Sequence, residues 1–149
     1  MKHLTCFDVA DYFLSKIDEE AGDTISNLQL QKLIYYAQGF SLAINHAPLF
    51  EEQLTAWQHG PVCVPLYYKY KEYGAGAIAV PAELELDKFS KEDQELLDEV
   101  YEVYGQFSAW KLRNMTREEA PWKETPINGV ISHGVMERFF KGRLINEED

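Results

Sequence analysis

Residues 28–74 read LQLQKLIYYAQGFSLAINHAPLFEEQLTAWQHGPVCVPLYYKYKEYG, and their pattern decides the fold. Just before them, Ser26 followed three positions later by Gln29 is typical of a capping box, which marks the start of a helix. Gly39 lowers helix propensity by about 1 kcal/mol relative to alanine, so we expect another element to pack closely against it. Apolar residues recur at helical spacing and predict one amphipathic helix: Leu30, Leu33, Ile34, Ala37 and Phe40.

The chain beyond this helix turns at Pro48 and leaves room for only a short extended segment before the loop 57–62. Because proline restricts the residue before it, Gly60 is expected to be extended, and Pro61 or Pro65 can occupy the first turn of the next helix. The tyrosines that follow repeat at every third position, which predicts that one row faces the interior: Tyr67, Tyr70 and Tyr73.

Capping residues also mark helices on either side of this stretch. We expect the helix before Gly105 to end there, the next helix to bury Trp110 or Leu112, and the last helix to end at Gly142. The pattern predicts a mainly α, compact single-domain bundle of about five to six helices over residues 1–149, with at most short β segments. The capping residues are Thr5, Ser90, Ser108 and Ser132.

The composition agrees with one globular domain, since 46% of the 149 residues are hydrophobic and 13% are aromatic. No apolar run reaches the roughly 20 residues needed to cross a bilayer, and the first residues carry no signal-peptide pattern. We therefore expect a cytoplasmic protein with no membrane contact. Cys6 and Cys63 lie far apart in the sequence and in no CxxC spacing, which favours reduced, buried thiols.

The net charge of −11 is unevenly distributed along the chain. Residues 83–105 hold nine acidic side chains and two lysines, whereas residues 106–145 hold more basic than acidic side chains. This balance argues against broad binding to nucleic acid, which needs clustered Lys and Arg, and favours a basic protein partner. Glu92, Glu95 and Glu99 are the candidate contacts, and the alternative is that they form the solvated face of a helix.

Motifs that carry catalysis or bind cofactors are absent from the sequence. Its four histidines fit no HExxH spacing, and it has no GxGxxG, GxxxxGK[ST] or GxSxG, so we expect no metal and no cofactor. The strongest catalytic candidate is a pairing of His59 with Cys63 or with a distant carboxylate such as Glu119. The alternative is that His59 fixes its loop through a hydrogen bond.

Two loops combine a tryptophan with a turn-forming proline, at Trp57 and at Trp122. Tryptophan is a frequent anchor of interfaces, and the alternative is that both indoles close one core. Thr116 is expected to cap or close a turn, and Glu119 to accept hydrogen bonds from backbone amides near Pro121.

The polar positions of the main helix are expected to leave one side of it open to a partner, with plain solvent exposure as the alternative. They are Gln31, Lys32, Tyr35 and Gln38.

Several of these stretches, taken in order, resemble the Panacea domain, the SocA-like antitoxin family. The resemblance extends from about Phe7 to Phe140 and rests on residues 30–39, 48–50, 56–62, 67–74, 97–109 and 115–122. The residues that we expect to be structural within it are Gly39, Gly60, Pro61, Tyr67, Tyr70, Tyr73, Thr116, Glu119, Pro121 and Trp122. The expected partner contacts are Gln31, Lys32, Tyr35, Gln38, Trp57, His59, Glu92, Glu95 and Glu99.

This resemblance implies a mainly helical antitoxin of bacterial, archaeal or phage origin, including prophages, that binds and neutralises a toxin encoded beside it. Family members often carry an additional DNA-binding domain, and no convincing helix-turn-helix remains in this chain. Two alternatives stay open: an adaptor that delivers the toxin to an ATP-dependent protease, and a small enzyme that uses His59 and Glu119. A homodimer also stays open.

Overall fold

The computed structural model describes residues 4–148 and is mainly α-helical, as the sequence predicts. One of its seven helices, α6, has only four residues and follows α5 after a short break, which accounts for the excess over the predicted number. The elements are α1 (Cys6–Ser15), α2 (Asn27–Asn45), β1 (Thr55–Trp57), β2 (Gly60–Val62), α3 (Val64–Tyr70), α4 (Lys91–Tyr104), α5 (Ala109–Arg117), α6 (Ala120–Lys123) and α7 (His133–Glu148).

Helix α2 is the central element, and it is buried on nearly all sides. It packs against α1, α3, α4, α5 and α7 as well as strand β2. The ring of Phe140 on α7 occupies the space that a side chain at Gly39 would need. The predicted close approach at Gly39 is therefore confirmed, and it explains why the central helix carries a glycine.

The helix starts follow their capping residues. Full capping boxes form at Thr5 and at Ser90, where each hydroxyl accepts a hydrogen bond from an aspartate amide and the aspartate accepts one in return. Ser26 accepts from the Gln29 amide at 3.2 Å. The Gln29 side chain does not complete the box, because it donates to the Phe107 carbonyl oxygen at 3.1 Å.

Strands β1 and β2 form a small antiparallel hairpin, with Thr55 opposite Val62 and Trp57 opposite Gly60. Gly60 has φ +108°, a region that other residues rarely adopt, so the simple extended conformation expected before proline is wrong. A Cβ at Gly60 would also lie 2.8 Å from Lys32 Cε and 2.8 Å from Thr116 Oγ1. Glycine at this position therefore lets the hairpin sit directly on α2 and α5.

Two members of the tyrosine row face the core as predicted, since Tyr70 is buried and Tyr73 packs against the core. Tyr67 is half-buried against the Trp57 ring instead, and Tyr68 is exposed. The two thiols, which are distant in sequence, are both buried and free, and the neighbouring Cys63 raises the pKa of Cys6. No helix within residues 4–148 is long and apolar enough to span a membrane.

The structure resolves two local expectations, one on α5 and one on α7. Of the two candidates on α5, Leu112 is buried, whereas Trp110 is 62% exposed. The predicted end of the last helix at Gly142 is wrong, because α7 continues to Glu148. A Cβ added at Gly142 would meet no described atom within 4 Å, so this glycine neither terminates the helix nor admits a close neighbour.

Candidate protein-binding surfaces

The polar residues of α2 are buried, so the predicted open face on this helix is wrong. Gln31, Lys32 and Tyr35 are 0% exposed and Gln38 is 1% exposed. The hairpin, the loop around Phe50 and the α5–α6 corner cover them. These side chains are therefore not available as partner contacts in this structure.

Two of these residues hold the backbone of neighbouring loops. The Gln31 side chain accepts from the Cys63 amide at 2.9 Å and donates to Asn27 at 3.0 Å. The Gln38 side chain accepts from the Leu49 amide at 2.7 Å and donates to the Phe50 carbonyl oxygen at 3.0 Å. Because each amide side chain both donates and accepts, each one satisfies buried backbone groups that have no helix or sheet partner.

Lys32 is a buried lysine that faces the hairpin. Its Nζ donates to the Pro61 carbonyl oxygen at 2.9 Å, and no carboxylate among the described residues lies within ion-pair distance of it. Burial, together with the positive charge of Arg113, lowers the pKa of Lys32 to about 7. The charged form is disfavoured because a buried ammonium loses its hydration without gaining a counter-ion.

This burial predicts a pH dependence of stability. The unfolded chain holds the Lys32 proton up to pH 10.5, whereas the folded chain releases it near pH 7, so the destabilisation is full below pH 7 and fades as the pH rises towards 10.5. Replacing Lys32 with methionine should remove roughly 2 kcal/mol of the wild-type rise in unfolding free energy between pH 7 and pH 9. Urea unfolding at several pH values measures this slope, and the exposed Lys91→Met is the control that should keep it.

Glu119 connects the α5–α6 corner to α2. Its two carboxylate oxygens accept hydrogen bonds from Tyr35 and Tyr36, each at 2.8 Å, and Arg143 Nη1 lies 3.6 Å from Oε2. The predicted acceptance from backbone amides is wrong, because the Glu119 side chain makes no cap hydrogen bond. Burial raises the pKa of Glu119, while the two tyrosine hydroxyls and Arg143 oppose that rise.

The Glu119 network extends into α4 and α7. The ring of Tyr36 stacks on Tyr104 with centroids 3.8 Å apart, and Arg143 donates to the Tyr104 hydroxyl at 3.4 Å. Burial, followed by the charge of Glu119, raises the pKa values of both Tyr35 and Tyr36. These contacts show that Tyr35 and Tyr36 of α2 are hydrogen-bonded to Glu119 of the α5–α6 corner inside the protein.

The two tryptophan loops lie side by side. Trp122 Nε1 donates to the Trp57 carbonyl oxygen at 2.7 Å, and the Trp57 ring meets Tyr67 edge to face at 5.0 Å. Trp122 packs against the core, while Trp57 lines an open cleft of about 540 Å³. The two indoles thus differ in environment, although each one lies near a turn-forming proline in the sequence. Thr116 and Pro121 are buried beside them.

His59 stands exposed at the rim of this cleft, where its Nδ1 accepts from Arg113 Nε at 3.1 Å. The imidazole therefore accepts a hydrogen bond from α5, whereas the structural alternative expected His59 to fix its loop by donating one. The groups suggested as its catalytic partners are engaged elsewhere, since Cys63 contacts Cys6 and Glu119 binds two tyrosines. Within residues 4–148 there is no cluster of three or more His, Cys, Asp or Glu side chains that could hold a metal ion.

Helix α4 presents an acidic surface. Glu92, Glu95 and Glu99 are all exposed, and none has an ion-pair partner among the described residues. A small apolar groove lies beside Glu99, and two of its lining residues, Ile44 and Val103, are 47% and 40% exposed. Acidic side chains around exposed apolar ones form a surface suited to contact with a basic protein.

A helical bundle with internal polar supports and with charged and apolar surface patches is the kind of structure that protein-binding modules have. Residues 30–123 match the family model described as antitoxin SocA-like, Panacea domain, and the chain belongs to this family. Membership supports an antitoxin role and a protein partner in general terms. Comparisons with curated proteins and with solved structures gave no match.

Two residues that contact the buried positions Gly39 and Glu119 lie beyond the end of the family match. Phe140 and Arg143 both lie on α7, outside residues 30–123, yet they contact Gly39 and Glu119 within that range. Sequence reasoning missed Phe140, Arg143 and Tyr36. The signal for Phe140 was the unexplained glycine in α2, but a glycine indicates only a close approach and not which element makes it.

Proposed function

We propose that this protein is an antitoxin that neutralises a cognate protein toxin by direct, stoichiometric binding, without turnover. The observation that supports this proposal most directly is the exposed acidic and apolar surface of α4 in a chain of an antitoxin-like family. Three carboxylates that find no ion-pair partner in the described part of the chain add repulsion within the acidic segment, and a basic toxin surface would relieve it. We place the complex in the cytoplasm and treat the chain as one domain.

The contacts that remain available for the toxin form two groups. Glu92, Glu95 and Glu99 belong to the α4 surface, and Trp57 and His59 belong to the rim of the cleft. The buried α2 residues support this second group indirectly, because Lys32 and Gln31 hold the backbone on either side of Val62. Their role in the proposal is to position the loop.

Co-expression with the open reading frame encoded next to this gene tests the proposal. We expect that frame alone to arrest growth, this protein to restore growth, and the two to co-purify from tags on either chain. Toxin half-life in the same cells separates binding from delivery to a protease. Rescue with a shortened half-life would establish an adaptor instead, and an adjacent frame that is not toxic would contradict the proposal.

Charge reversal on α4 tests where the toxin binds. Glu92→Lys, Glu95→Lys and Glu99→Lys together should weaken toxin binding by roughly 1 to 3 kcal/mol because attraction becomes repulsion, and added salt should shrink the difference. The matched control reverses three exposed acids on other elements, Glu19, Glu20 and Glu72. Calorimetric titration of toxin into each variant measures the effect. Equal affinities for the α4 variant and the control would exclude α4 as the contact.

A further inference from the structure

Helix α5 carries three cations that have no acidic partner within residues 4–148. Lys111, Arg113 and Arg117 lie outside ion-pair distance of every carboxylate among the described residues. This is unexpected in a chain with 25 acidic residues against 14 lysines and arginines. The acids concentrate on α4, so α5 forms a locally positive surface on an acidic protein.

Two of these cations are held in place by tryptophans. The Arg113 guanidinium lies 4.4 Å from the centre of the Trp110 ring, and that of Arg117 lies 5.0 Å from the Trp122 ring. Arg113 and Arg117 are four positions apart, so they share one face of α5. A stacked guanidinium keeps its planar donors free and loses less conformational entropy when it binds an anion.

The hydrogen bonds of the two arginines leave their charge uncompensated. Within the described part of the chain, Arg113 donates to neutral acceptors, to His59 Nδ1 at 3.1 Å and to Asn114 Oδ1 at 2.9 Å. Arg117 Nε is buried and has no hydrogen-bond partner among the described residues. A carboxylate bound here would supply the counter-ion that residues 4–148 do not provide for these two guanidinium groups.

We propose that Trp110, Arg113, Arg117 and His59 form a docking surface for an acidic, partly apolar peptide segment of the protein partner. That this partner is the toxin rests on the proposed function. Exposed tryptophan beside arginine is the composition of interface hot spots, and paired guanidinium donors match carboxylates. A nucleic acid fits less well, because a phosphate backbone needs a longer track of cations than α5 provides, and the net charge of −11 repels it.

Fluorescence anisotropy of labelled probes tests this docking surface on the purified full chain. The probes are a short peptide of alternating glutamate and leucine, the same peptide with glutamine in place of glutamate, and an oligothymidylate of equal length. We expect saturable binding of the acidic peptide alone, and Arg113→Glu with Arg117→Glu should weaken it roughly tenfold or more. Lys91→Glu with Arg138→Glu, which reverses two cations elsewhere, is the control and should bind like wild type.

Trp110→Ala keeps the proposal testable if the arginine variant fails to fold, because this indole is 62% exposed and its removal should not disturb the core. We expect it to weaken the acidic peptide at least threefold. Unchanged affinity in both α5 variants, no binding of the acidic peptide, or tighter binding of the oligothymidylate through the same residues would overturn the proposal. If the α5 variants lose the acidic peptide but still restore growth, the antitoxin function stands without this docking surface. If wild-type protein binds the peptide but does not restore growth, the antitoxin function alone is contradicted.

Discussion

Glu119→Ala is expected to lower the free energy of unfolding by roughly 3 to 5 kcal/mol, because it removes the acceptor for two buried hydroxyls at once. Tyr35 is 0% exposed and donates to Oε1, and Tyr36 donates to Oε2, so neither hydroxyl can turn to solvent after the change. Arg143 also loses its carboxylate partner. Urea unfolding followed by circular dichroism measures the loss.

The neighbouring residue supplies a matched control for this experiment. Glu118 has the same charge and lies one position earlier, but its side chain is 80% exposed and its ion pair with Lys123 spans 3.9 Å. Glu118→Ala should therefore change stability by less than about 0.5 kcal/mol. Similar losses for the two variants would show that Glu119 does not hold the buried tyrosines.

Gly39→Ala should be the second large effect, with a loss of several kcal/mol, roughly 3 or more. The added methyl group would overlap the ring of Phe140, which is fully buried between α2 and α7, so the two helices must move apart. The ordinary preference of helices for alanine over glycine opposes this loss by only about 1 kcal/mol. Thermal unfolding followed by circular dichroism measures the net change.

Gly142 lies on α7 and provides a contrasting glycine, one with no close neighbour among the described residues. It lies inside α7 with open space around its Cβ position, so Gly142→Ala should raise stability by about 0.5 to 1 kcal/mol. A loss of stability for Gly39→Ala together with a gain for Gly142→Ala would distinguish the effect of close packing from that of helix propensity. A neutral result at Gly39 would contradict the approach of Phe140.

The helical framework was predictable because its signals are local. Thr5 with Asp8 and Ser90 with Asp93 mark helix starts through contacts within one turn, and the structure forms both boxes. The end of the last helix was not predictable from Gly142, because a glycine ends a helix only where the chain adopts a left-handed turn. Here the chain stays helical through Gly142 as far as Glu148, and Leu144 beyond the glycine packs against the core.

The candidate site was less predictable, because polar residues on an amphipathic helix look alike whether they face solvent or backbone. Gln31 and Gln38 have the spacing of an exposed stripe, yet each one binds a loop that returns over α2. Periodicity reports which positions are apolar and carries no information about which loops cover the polar ones. Glu92, Glu95 and Glu99 lay on an exposed face, as a solvated acidic stripe would.

In this fold, the residues that hold the structure together differ from the exposed residues that we propose as partner contacts. The polar residues of α2 and of the α5–α6 corner form a buried network, whereas the surfaces that we propose for partner contact are α4, the cleft rim and α5. Variants of Glu119, which does not hold the hairpin loop, should lose binding only as they lose stability.

Titration of the toxin's own activity against increasing amounts of this purified protein tests the central claim most directly. Direct neutralisation predicts that toxin activity falls in proportion to the added protein and reaches zero at a fixed molar ratio, with both chains intact afterwards. Inactivation by substoichiometric amounts would contradict the claim in favour of an enzyme. Full toxin activity in the presence of excess protein would contradict it in favour of an adaptor that needs a protease.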